Sequence, residues 1–193
     1  MPLPDPLQKI AEETLGYFSG GSAGAPYLLY VYEPEAELAV RKEMLDLVAY
    51  LKAHGSDVAA VSLADLFWQA VDDSGFYQQM VEVEKENPDD SWALEKVHET
   101  LREILTSPPT LADRVMTAVE DTPDHCAVIL YRAAALYPVF RTSALLDDLR
   151  DRLRRPVLLL YPGQVVEPYG LKFMARCEPI HGYRAKIFQR SSA

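Results

Sequence analysis

Apolar residues along the chain recur with two spacings, about every 3.6 residues in some stretches and in short unbroken runs in others, and the changes between them mark the elements. Over residues 5–18, Leu7, Ile10, Ala11 and Leu15 share one side of a helical repeat, which predicts a short amphipathic helix ended by the breaker SGGSAGAP. PYLLYVY (26–32) is a nearly continuous apolar run, the pattern of a strand covered on both faces. A helix is predicted from residue 35 to about residue 54. Val40, Met44, Leu47, Val48 and Leu51 lie inward, acidic residues fill its first turn and Gly55 stands behind it. DVAAVSL (57–63) is a second strand, and strand, helix, strand in this order predicts a parallel pair.

The stretch 64–105 is helical and acidic. Leu94, Val97, Leu101 and Ile104 form its stripe, and ENPDDS divides it into an insertion-like helical pair. After SPPT, a helix over 111–119 takes Thr110 as its N-cap. HCAVILYR (125–132) reads as a third strand, residues 143–153 as a leucine helix and PVLLLYP as a fourth strand. GYRAKIFQ (182–189), which alternates apolar and basic residues, reads as an edge strand. The sum is an α/β three-layer sandwich with a mainly parallel central sheet of about five strands, P-loop-like or Rossmann-like in topology but without a functional Walker motif. One domain over residues 1–193 is expected, with an acidic helical insertion at about 64–119.

Charge refines this picture. The formal net charge of −10 weighs against direct phosphate binding as the main activity. Residues 1–140 hold 9 Lys/Arg against 24 Asp/Glu, whereas residues 141–193 hold 10 against 5. Such a gradient predicts either a polarised interaction surface or two halves that neutralise each other within one fold. The proline-bearing, acidic N-terminus does not fit a signal peptide, and no stretch approaches a spanning apolar segment, so a cytoplasmic protein is expected. Cys126 and Cys177 lack metal-site or disulfide-framework spacing.

Catalytic motifs do not emerge. GGSAG precedes the first strand instead of following it, and no Gly-Lys-Ser/Thr completes it. There is no Gly-x-Ser-x-Gly, and Ser143 reads as a helix N-cap. His54, His98, His125 and His181 are scattered singly, and no cofactor or metal is expected. What remains is geometric. Loops at the carboxyl ends of parallel strands share one edge, where Arg132, Arg141, Thr142, Tyr161 and Gln164 should gather. An arginine there suits an anion, a partner's carboxylate or an Asp of its own fold.

Several blocks, in order, resemble the BrxB family, a component of BREX bacteriophage-exclusion systems. They are YLLYVYEPEAELAVRKEMLDLVAYLKAHG with its early Arg41, then HCAVILYRAAALYPVFRTSALLDDL, PVLLLYPGQ, GLKF and GYRAKIF. The chain departs from the family pattern at three places. Arg132-Ala133-Ala134-Ala135 replaces a glycine-containing turn, Arg141-Thr142-Ser143 replaces Arg-Ser-His, and Pro162-Gly163-Gln164 replaces Pro-Gly-Glu. Loss of that histidine and glutamate argues against acid–base catalysis at those positions.

The resemblance implies a phage-defence role beside a large ATPase, a DNA methyltransferase and a PglZ-type phosphatase-like protein. It points to a non-catalytic adaptor, docking the PglZ-type protein before the ATPase or methyltransferase. Interfaces favour aromatics and arginines, and among the eleven tyrosines Tyr131, Tyr137 and Tyr183 lie close to arginines in the chain, Tyr183 directly before Arg184. The alternatives are a degenerate nucleotide or anion sensor using Arg132 and Arg141, and nucleic-acid contact through RDRLRRP with Arg176, Arg184, Lys186 and Arg190.

Overall fold

The fold is known from a computed structural model that describes residues 3–21, 24–88, 90–168 and 170–191. Two residues of the GGSAG run, 22 and 23, lie outside the described residues. The elements are α1 (Asp5–Phe18), β1 (Tyr27–Tyr32), a 3-10 turn (Pro34–Ala36), α2 (Glu37–Ala53), β2 (Asp57–Ser62), α3 (Leu63–Ser74), α4 (Tyr77–Glu86), α5 (Ser91–Thr106) and α6 (Leu111–Val119). They continue with β3 (Cys126–Tyr131), a second 3-10 turn (Ala133–Leu136), α7 (Thr142–Arg150), β4 (Val157–Val166), β5 (Gly170–Phe173), β6 (Ile180–His181) and β7 (Lys186–Gln189).

Five strands pair in parallel in the order β2-β3-β4-β1-β7, an open α/β sheet. The apolar runs take its centre: all six residues of β1 are buried, because side chains pointing to either face meet helices. Leu28, Tyr30 and Tyr32 pack with Leu158 and Leu160 of β4 under α1 and α2. Leu29 and Val31 point the other way, with Leu159 and Tyr161, into a larger core beneath α3, α6 and α7. Edge strands β2 and β7 carry the polar residues, and Lys186 reaches out to Glu13 at 2.6 Å.

Four expectations need correction. The acidic stretch forms three helices, because Gly75, in the left-handed region at φ 72°, ends α3 well before ENPDDS. Ser143 is not the cap of α7. Arg141 holds that position and its carbonyl accepts from Ala144 and Leu145, while the Thr142 hydroxyl is engaged elsewhere. β4 does not stop at Pro162 but runs on into an antiparallel pairing with β5, which in turn pairs with β6. The edge strand begins only at Lys186, since Gly182, at φ 88°, turns the chain and sends Tyr183 inward.

Thr110 caps α6 as expected. Its hydroxyl accepts from the Asp113 amide at 3.1 Å, and the Asp113 carboxylate accepts from the Thr110 amide at 2.7 Å. Arg152 adds a 2.6 Å bond to the same carboxylate and, with Thr110, holds Asp113 below the usual carboxylate range. A depressed folded value means that this stabilisation is complete above the unfolded value of about 3.9 and disappears as pH falls through the lower, folded one. Asp113→Asn should therefore lower the melting temperature at pH 7, and the gap to the parent should close as pH is taken well below about 4. A gap independent of pH in thermal scans would assign the effect to something other than this charge.

Candidate functional site

The carboxyl edge of the sheet is where connections part. β1 leads to α2 on one face, whereas β2 leads to α3 and β3 to α7 on the other, so a switch point lies between β1 and β4. The β4–β5–β6 extension continues the sheet past this edge. Gln164 marks the seam, its Nε2 donating to Glu33 Oε2 at 3.2 Å just beyond β1.

Tyr161, the last core residue of β4 before Pro162, lies fully buried at this pole. The Tyr183 ring stands edge-on to it at 5.8 Å and Phe173 of β5 lies at 5.3 Å, with Tyr137 in turn 6.3 Å from Phe173. The Tyr161 hydroxyl is enclosed without a hydrogen-bond partner. Burial pushes its phenol far above the ordinary value, and Tyr183 adds in the same direction. Tyr183 instead shares a hydrogen bond with the buried Thr142 hydroxyl at 3.1 Å, tying the loop before β7 to the first residue of α7. Strands β4 and β5, the β3–α7 connection and the loop before β7 thus converge on one aromatic floor.

Arg141 stands at the rim of this floor. It is exposed, and among the described residues its guanidinium has no carboxylate partner. It lies near enough to Cys177 to counter the burial that pushes that thiol up. Arg176 and Arg184, neighbours in sequence of Cys177 and Tyr183, are exposed too, and neither has a carboxylate partner among the described residues. Arg184 contributes only its backbone carbonyl, which accepts from Arg150.

The pairing of an arginine with an Asp of its own fold does occur, but at a different arginine. Arg132 holds a left-handed backbone at φ 59° directly after β3. Its Nη1 donates to Asp65 Oδ1 at 2.7 Å and reaches Ser62 Oγ at 3.4 Å. Arg132 thus differs from Arg141 in that the first turn of α3 already presents a carboxylate to it.

The structure brings Tyr137, Thr142, Tyr161 and Tyr183 together with Arg141 and Arg184 at the rim, and it leaves Arg132 and Gln164 each bound to a carboxylate of the fold. Phe173 and Cys177 belong to the same cluster and were missed. The alternation in GLKF, with Leu171 and Phe173 buried on one side, was the available signal.

Part of the C-terminal excess of cations neutralises the acidic body. Arg152, Arg155, Lys186 and Arg190 pair with Asp113, Asp124, Glu13 and Glu43 of the body. The unpaired remainder includes the arginines at the carboxyl pole. An aromatic floor with a rim of free guanidinium groups suits recognition of carboxylates on another protein, bidentate at best. Among the described residues, no group of three or more His, Cys, Asp or Glu is placed to share a metal ion, and no helix is long and apolar enough to cross a membrane.

Comparison with known proteins adds one finding. The family model described as BREX protein BrxB matches residues 59–188, from within β2 to within β7 and across the whole aromatic cluster. No curated protein and no solved structure matches the chain.

Proposed function

The chain belongs to the BrxB family, which makes it a component of a BREX anti-phage system with other BREX components as its partners, and from this premise we propose that it acts as a non-catalytic adaptor. Its partner in this reading is the PglZ-type phosphatase-like protein, with the ATPase or methyltransferase next in order. The carboxyl pole of the sheet is the docking surface. The observation that carries the proposal is Arg141, a guanidinium at the rim of a packed aromatic cluster, left unpaired while Arg132 is already satisfied by Asp65. An exposed arginine beside packed aromatics is the composition of an interface hot spot. The anion-sensor alternative loses support from the same fact, since one of its two arginines is occupied.

Arg141→Ala should weaken binding of the PglZ-type protein about tenfold or more, with the variant folded. Arg141→Lys should recover only part of that loss, because an ammonium keeps the charge and not the planar fork. Purified components, titrated calorimetrically at moderate salt, would test this. A folded Arg141→Ala protein that kept its parent affinity for every BREX component would remove the carboxyl pole from the account.

A further inference from the structure

A second surface, on the opposite flank from α2 and independent of the docking pole, has the chemistry of a peptide groove. Between α3, α4, α5 and the Pro108–Pro109 corner lies an open cleft of about 530 Å³. Its floor is apolar, formed by Ala70, Met80, Val97 and Ile104, and two aromatic rings stand at its mouth. Phe76 is 48% exposed and Trp92 54% exposed. Trp68, Tyr77 and Leu94 on the same three helices are also exposed. Five of the seven large apolar residues found exposed among the described ones thus fall between residues 68 and 94. Of these, Phe76 and Trp92 line the cleft itself, and large apolar side chains exposed together at an apolar cleft mark an interaction site.

Charge around the cleft selects its occupant. Residues 64–119 carry 12 Asp/Glu against 4 Lys/Arg. Three of those four cations are already engaged: Lys96 with Glu99 at 2.7 Å, Arg114 with Asp73 at 2.6 Å, and Arg102 with the Val139 carbonyl at 3.3 Å. Most of the carboxylates on α4 and α5 are left facing solvent without a cation. Nucleic acid and anionic lipid are repelled by such a field, whereas a segment rich in Lys and Arg is drawn to it.

We infer that the α3–α5 cleft receives a basic amphipathic segment of a partner protein, its apolar side chains seated between Phe76 and Trp92 and its cations facing the exposed carboxylates that α4 and α5 carry around the cleft. The recognition mode is an amphipathic element in a groove. It is distinct from carboxylate recognition at the pole and does not rest on it, so the same chain would offer two partners surfaces of opposite charge.

The test uses the full chain and a synthetic peptide of about 18 residues with leucines at helical spacing and lysines elsewhere. Both tryptophans of the chain, Trp68 and Trp92, lie on these helices and report occupancy by fluorescence. The lysine–leucine peptide should bind saturably with one-to-one stoichiometry and shift the emission to the blue. Rising salt should weaken it. Calorimetry should show affinity about tenfold lower for Trp92→Ser and for Phe76→Ser, both folded because these rings are half exposed, and unchanged for Leu38→Ser on α2. Absence of saturable binding would overturn the inference. So would equal binding of a glutamate–leucine peptide, equal binding of a lysine–serine peptide without an apolar face, or parent affinity in both cleft variants.

Discussion

Tyr161→Ala should cost about 4 kcal/mol of folding stability, while Tyr161→Phe should cost nothing or stabilise slightly. The ring is fully buried between Phe173 and Tyr183 at the point where the parallel part of β4 ends. Truncation to alanine would open a cavity that Phe173 and Tyr183 line and that the sheet beneath cannot collapse to fill. The hydroxyl is another matter. It has left water without finding a partner, a condition that costs about 1–3 kcal/mol by itself, so its removal relieves a penalty and breaks no bond. Urea unfolding of the two variants gives the comparison directly. A phenylalanine variant as unstable as the alanine one would mean that the hydroxyl is satisfied in solution, by a water or by a rearranged Tyr183. The same pair of variants separates floor from rim: Tyr161→Phe should leave docking at the pole intact, because the hydroxyl is enclosed and out of a partner's reach.

Gly163→Ala should be destabilising by about 3 kcal/mol or more. A Cβ on this glycine would stand 2.3 Å from the backbone oxygen of Lys172 and 2.8 Å from Cε1 of Tyr161. The first obstacle is the main chain of the paired strand β5, opposite at the Gly163–Phe173 register, and it cannot rotate away as a side chain would. Relief requires separating β4 from β5, which would carry Phe173 off the aromatic floor. Loss of stability should therefore come with weaker docking at the carboxyl pole, unlike a substitution on the far flank such as Leu38→Ser. A Gly163→Ala protein with parent stability in denaturant titrations would show that the β4–β5 pairing is looser than these distances imply. Gly163 thus has a packing reason of its own.

How legible was all this in the chain of letters? β1, β3 and β4 stand out as apolar runs because both faces of a central parallel strand are covered, which leaves no polar side to blur the signal. The Thr110 cap was equally visible, since a capping box is a contact between residues three apart. The three-helix acidic stretch was misread as two, because the stop at Gly75 depends on a left-handed residue that the helical stripe runs across. The hairpin extension beyond Pro162 was missed for a different reason: β5 and β6 are only four and two residues long, too short for an alternation to stand out.

Local pattern was therefore sufficient for the α/β class, the parallel core, the basic C-terminal quarter and the carboxyl edge at which the strand-end loops collect. Each follows from periodicity or charge within a dozen residues. Which arginine is free was not decidable that way. Arg132 and Arg141 are equivalent as letters, both placed after an apolar strand or segment and before a helical turn. Only the packed arrangement sets Asp65 of α3 against Arg132 at 2.7 Å and leaves Arg141, beside Thr142, without a carboxylate partner among the described residues. Ion pairs between residues 67 apart in the chain are matters of three-dimensional proximity, set by how α3 packs on the sheet, and no periodicity encodes them.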